Sequence, residues 1–104
     1  MVTRIWHGWT TAENASVYEK LLRGEILPAI AARTIPGYRG VRLLKRQLPN
    51  SEVEFITLME FDSLDDVKGF VGDDYERAHV PEKARRVLAR YDARVHHYET
   101  IPDP

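Results

Sequence analysis

Glu52-Val53-Glu54-Phe55-Ile56-Thr57-Leu58-Met59-Glu60-Phe61 sets the architecture of this chain. An extended strand sends successive side chains to opposite faces. Val53, Phe55, Met59 and Phe61 therefore share one face, and Ile56 and Leu58 share the other. A sheet wetted on one side alternates apolar with polar residues, and this stretch does not. Both faces are expected to be covered, one of them by the chain's own helices. A chain of 104 residues has little left to cover the second face. A second copy packing sheet against sheet is the expected cover.

Pro49-Asn50-Ser51 forms a turn before this strand, and Tyr38 to Leu48 reads as its antiparallel hairpin partner. Ile35-Pro36-Gly37 ends the region upstream, because proline pushes Ile35 toward extended geometry. Before it, Tyr18, Leu21, Leu22, Ile26 and Ile30 recur at helical spacing, predicting a helix from a cap at Thr10, Thr11 or Asn14 to about Ala32. Pro28 lies inside it, with Gly24 four residues earlier, so a kink is expected there. Thr3 to Thr10 is strand-like, with Ile5, His7 and Trp9 on one face and Arg4, Trp6 and Gly8 on the other.

Downstream, Ser63 caps a helix over Leu64 to Val71, and Gly72-Asp73-Asp74 breaks it. Tyr75 to His79 fits one helical turn, Pro81 opens a helix to about Ala89, and Tyr91 to Thr100 is a last strand. The Ile-Pro-Asp-Pro tail cannot enter a sheet interior. The order β-α-β-β-α-β predicts an α+β, ferredoxin-like fold over residues 1–104, with helices on one face of a four-stranded antiparallel sheet.

Composition narrows the function. With no cysteine, thiolate chemistry and iron–sulfur ligation are excluded, and a cytoplasmic location is the simplest reading. A net charge of -1 argues against nucleic acid as a partner, since such binding needs excess positive charge. No apolar run spans a bilayer and no signal-peptide pattern opens the chain, so no membrane partner is expected.

Three stretches carry a family resemblance: Trp6-His7-Gly8-Trp9, Ile35-Pro36-Gly37-Tyr38-Arg39-Gly40, and Phe61-Asp62-Ser63-Leu64 followed by Phe70 and Asp74-Tyr75-Glu76-Arg77-Ala78-His79. Together they resemble the antibiotic biosynthesis monooxygenase superfamily, whose members are dimeric α/β barrels. The resemblance implies a homodimer and a small oxygenase-like protein. The superfamily holds cofactor-free oxygenases of polycyclic phenols, haem-degrading enzymes and quinol oxygenases. The haem degraders use an asparagine on strand one, a tryptophan after strand three and a histidine. Those positions correspond here to His7, Phe70 and His79.

His79, between an apparent turn and the helix opened by Pro81, is the first candidate for a general base, because imidazole titrates near neutral pH. His7 is the second. If its face meets the helices, His7 and Trp9 line the same pocket as His79. If it meets a partner subunit, Trp6 faces the pocket instead. Trp6, Trp9, Tyr18, Phe70 and Tyr75 are candidate walls for a flat aromatic ligand. His96-His97 cannot chelate one ion from a regular strand, and no metal is expected. No phosphate loop, Rossmann fingerprint or HExxH motif occurs. The leading expectation is a monooxygenase acting on a phenol without a bound redox cofactor. A non-catalytic dimeric binding domain and a haem degrader are the alternatives.

Overall fold

The computed structural model describes residues 1–103. At its centre β3 (Glu52–Phe61) lies between β1 (Val2–Thr11) and β2 (Tyr38–Gln47), antiparallel to both. Register assigns the faces. Val2, Arg4, Trp6, Gly8 and Thr10 stand opposite Phe61, Met59, Thr57, Phe55 and Val53. This is the face the helices cover. Thr3, Ile5, His7 and Trp9 stand opposite Glu60, Leu58, Ile56 and Glu54 on the other face.

The first helical region is continuous but not uniform. Helix α1 (Ala15–Leu21) passes through a π-helical turn, Leu22–Ile26, into α2 (Leu27–Ala31). The Leu27 N–H reaches back five residues to the Leu22 carbonyl. Pro28 cannot donate to Gly24 four residues earlier, and the wide turn absorbs that mismatch where a kink was expected. Gly37 then turns the chain into β2 at a φ of +76°, where any Cβ would come within 2.1 Å of Asp66 Oδ2.

Helix α3 (Leu64–Val71) begins as predicted, with the Ser63 hydroxyl accepting from the Asp66 N–H at 3.2 Å. Helix α4 (Glu82–Val87) is shorter than the predicted span. The last strand differs more. It splits into β4 (Arg90–Tyr91), paired with Gly8 and Trp9, and β5 (His96–Glu99), paired with Val2 to Ile5. The sheet therefore has the order β2-β3-β1-β4, with β5 on the same edge of β1. That is the ferredoxin-like arrangement.

Between the two short strands the backbone leaves β1 and pairs elsewhere. Ala78 N–H donates to the Ala93 carbonyl at 2.9 Å, and Val95 N–H donates to the Glu76 carbonyl at 2.7 Å. Tyr75 to His79 is accordingly not the helical turn expected from sequence but a turn and an isolated β-bridge, Arg77 with Arg94. This pairing fixes the approach to His79.

Two core clusters lie between helices and sheet. Tyr18, Leu22, Val53, Phe55 and Ala84 form one, and Val2, Met59, Phe61 and Val67 the other. The opposite face carries Ile5, Trp9, Ile56 and Leu58, with Leu44 and Tyr98 48% and 54% exposed. Among the described residues no helix covers it.

Candidate functional site

At the seam between the two core clusters the helices leave a cavity of about 130 Å³ over the sheet. Arg4, Trp6, Thr57 and Met59 form its floor, and Tyr18, Leu22, Ile26, Ile30 and Phe70 its walls. His79, Val80 and Pro81 stand at the rim. The π turn contributes Leu22 and Ile26, so the backbone irregularity at Pro28 lies beside the cavity. A wider groove of about 560 Å³ adjoins it, and Ile26, Ile30, Phe70, Val71, His79 and Pro81 line both. His79 thus stands at the threshold between inner cavity and outer groove. Its ring is exposed and makes no hydrogen bond with another described residue.

Neighbouring elements hold the lining side chains. The Trp6 indole N–H donates to the Asp92 carbonyl at 2.8 Å, so the excursion between β4 and β5 fixes its ring. Tyr18 packs edge-on to Phe55 with ring centroids 5.0 Å apart. Burial raises the Tyr18 phenol well above its ordinary pKa, so it stays protonated at neutral pH.

Arg4 is 7% exposed, and burial lowers its guanidinium to about 10, leaving it cationic at neutral pH. Its Nη1 donates to the Tyr75 carbonyl at 2.7 Å and lies 2.9 Å from His97 Nε2. Since Arg4 can only donate, His97 accepts at Nε2 and carries its proton on Nδ1. That Nδ1 is buried with no partner among the described residues. Burial, then the Arg4 charge, lowers His97 to about 4.

A pH dependence follows. Below about 6.5, the ordinary histidine value, the unfolded chain takes up a proton that folded His97 refuses until about pH 4. Stability is expected to fall through that window as pH drops, by on the order of 1–2 kcal/mol between pH 7 and pH 5. Urea unfolding of wild type and His97→Gln at pH 7 and pH 5 checks this. The variant should lose less, and parallel losses would reject the assignment.

Solved structures share this architecture. A Bacillus cereus protein described as a putative antibiotic biosynthesis monooxygenase matches at 12% identity, over 100% of this chain and 96% of its own, with a TM-score of 0.67. Rv0793 from Mycobacterium tuberculosis matches at 15% identity over 98% and 96%, with a TM-score of 0.62. A Caulobacter crescentus protein of the same description as the first matches at 16% identity over 97% and 90%, with a TM-score of 0.60. The chain has their fold. No family model and no curated protein matches the sequence.

Within this shared fold, Trp6, Tyr18, Phe70 and His79 come together around one cavity. His7 and Trp9 do not. They lie on the opposite sheet face, where the His7 Nδ1 is 2.7 Å from Glu54 Oε2 and the Arg90 guanidinium sits 4.1 Å over the Trp9 ring. Hydrogen bonds from His7 and then Arg46 hold the buried Glu54 carboxyl below the usual carboxylate range. The triad inferred for haem degradation therefore does not gather, because His7 faces away from Phe70 and His79. Tyr75 supports the site rather than lining it, through its carbonyl to Arg4 and its ring edge-on to His97 at 5.2 Å. His96 and His97 pair with Ile5 and Arg4 on opposite faces. No group of three or more metal-ligating side chains occurs among the described residues, and no helix is long and apolar enough to cross a membrane.

Sequence reasoning passed over Arg4 and Thr57 as site residues and weighed His97 only as a metal ligand. The available signal was Arg4 itself, a cation sharing a strand face with Val2 and Trp6.

Proposed function

We propose that the protein belongs with the antibiotic biosynthesis monooxygenases and oxidises a flat phenolic substrate with dioxygen, without a resident redox cofactor, as a homodimer. The observation that carries this reading is the open aromatic cavity between helices and sheet, with His79 at its entrance. The shared fold supports it, although fold alone fixes no reaction.

The chemistry runs through the substrate. The His79 imidazole accepts the phenolic proton, leaving an electron-rich anion within apolar walls. That anion transfers an electron to dioxygen, and the radical pair joins as a carbon–peroxide bond. Cleavage of the O–O bond with loss of the geminal hydrogen leaves a carbonyl. One oxygen atom stays in the product, the other leaves as water, and the substrate supplies all the electrons. The second copy covers the face bearing Ile5, Ile56 and Leu58 and takes no part in these steps.

Purified protein with anthrone should consume one dioxygen per quinone formed, read with an oxygen electrode. His79→Ala is expected to lower kcat on the order of 100-fold. Equal uptake by variant and wild type would remove His79 from the mechanism. One observation favours a second reading, a binding domain without catalysis: among the described residues no side chain hydrogen-bonds to His79 to orient it. Anthrone binding without oxygen uptake would establish that reading instead.

A further inference from the structure

We propose that the cavity selects an anionic aromatic ligand, an aryl carboxylate whose charged group seats on Arg4. The inference shares with the oxygenase reading only the premise that this cavity is a ligand site.

Arg4 is a buried cation without a counter-charge. Among the described residues no carboxylate lies within 4 Å of its guanidinium. Its two hydrogen-bond partners, the Tyr75 carbonyl and His97 Nε2, are both neutral acceptors, and both are reached from Nη1. They satisfy hydrogen bonds without neutralising charge, and a lone buried ion is strongly disfavoured unless something compensates it. The Nε–Nη2 edge makes no bond with the described residues, and Arg4 borders the cavity. That edge presents two parallel N–H groups, the fork that matches a carboxylate.

The surroundings agree. Tyr18 is 1% exposed, lines the same cavity, and its hydroxyl bonds no other described residue. Thr57 adds a second hydroxyl to the floor. Both can donate to an anion, while Trp6, Phe70 and Met59 supply apolar contact for a ring. A dry cavity of about 150 Å³ holds benzene, so about 130 Å³ is close to the size of one ring, and a ligand of two rings would extend into the groove past His79. Lys83 pairs with Glu25 at 2.6 Å on the rim of that groove, which leaves the Arg33 charge unneutralised there and gives an approach that favours anions by one net positive charge.

Calorimetric titration at pH 7 with 2-naphthoate and the isosteric neutral 2-naphthamide tests the proposal. Wild type is expected to bind the carboxylate at least tenfold more tightly than the amide, and Arg4→Met to abolish that preference. Equal wild-type affinities, or a preference surviving in Arg4→Met, would overturn it. Should that variant fail to fold, the Arg4 Nε–H resonance of wild type decides: it should shift on adding 2-naphthoate, and an unmoved signal rejects the site. Carboxylate preference without oxygen uptake from any phenol keeps this proposal and removes the oxygenase. Oxygen uptake without the preference does the reverse.

Discussion

Truncating Phe61 to alanine is expected to cost about 3–5 kcal/mol of folding stability. The side chain is fully buried, with the Tyr38 and Phe70 rings 5.5 and 5.7 Å away between centroids. Val2 and Val67 complete the cluster, so helix α3 and both flanking strands meet at this one ring. The shell that would have to close the void belongs to three elements, each held by its own backbone bonds. Little relaxation is available, which places the cost toward the upper end. Domains of this size have about 5–15 kcal/mol in total, so the substitution consumes a large share. Urea unfolding should show a lowered midpoint with an unchanged slope. A loss below about 1 kcal/mol would mean that this cluster is not packed. The cavity should change as well, because Phe70 rests on Phe61 with one side and borders the ligand space with another.

Where local chemistry is strong, the fold was legible from residues alone. The apolar pattern over Glu52 to Phe61 gave that strand with both its ends, and Ser63 gave the start of α3. Legibility failed where a distant partner settles the outcome. Tyr91 to Thr100 has strand composition throughout, yet Ala93 and Val95 bond to Ala78 and Glu76 instead of to β1. Nothing within either segment announces that pairing. The π turn was foreshadowed by Pro28 but appeared one turn earlier, because a helix can widen before a missing donor rather than bend at it.

The candidate site shows the same division. Trp6, Tyr18, Phe70 and His79 were each singled out for side-chain chemistry, and they share a cavity. His7 and Trp9 carry equally suggestive side chains and lie on the other face. Their strand has an aromatic or histidine on both faces in Trp6-His7-Gly8-Trp9, so alternation alone could not say which side meets the helices. Arg4 escaped notice for the opposite reason. A lone arginine near a chain start reads as a solvated charge, and only pairing with Met59 and His97 buries it.

Replacing Leu58 with lysine is expected to convert the proposed homodimer into folded monomers. Leu58 sits on the face without helices, opposite Ile5 on one neighbouring strand and Arg42 on the other. It is only half-buried in the single chain and belongs to neither core cluster, so its loss leaves the helix-side packing intact. Far-UV circular dichroism should therefore hardly change. At a two-fold interface each substitution acts twice, bringing new ammonium groups beside Arg42 and its counterpart where water is excluded. Burying an unpaired charge costs several kcal/mol per ion, enough to shift a micromolar dimer wholly to monomer. Sedimentation equilibrium should give twice 12.0 kDa for wild type and 12.0 kDa for Leu58→Lys. Thermal midpoints should rise with protein concentration in wild type and stay constant in the variant, since association stabilises the folded state by mass action. A wild-type chain that sediments as a monomer, with Leu58→Lys equally stable, would mean that this apolar face meets water in the working protein.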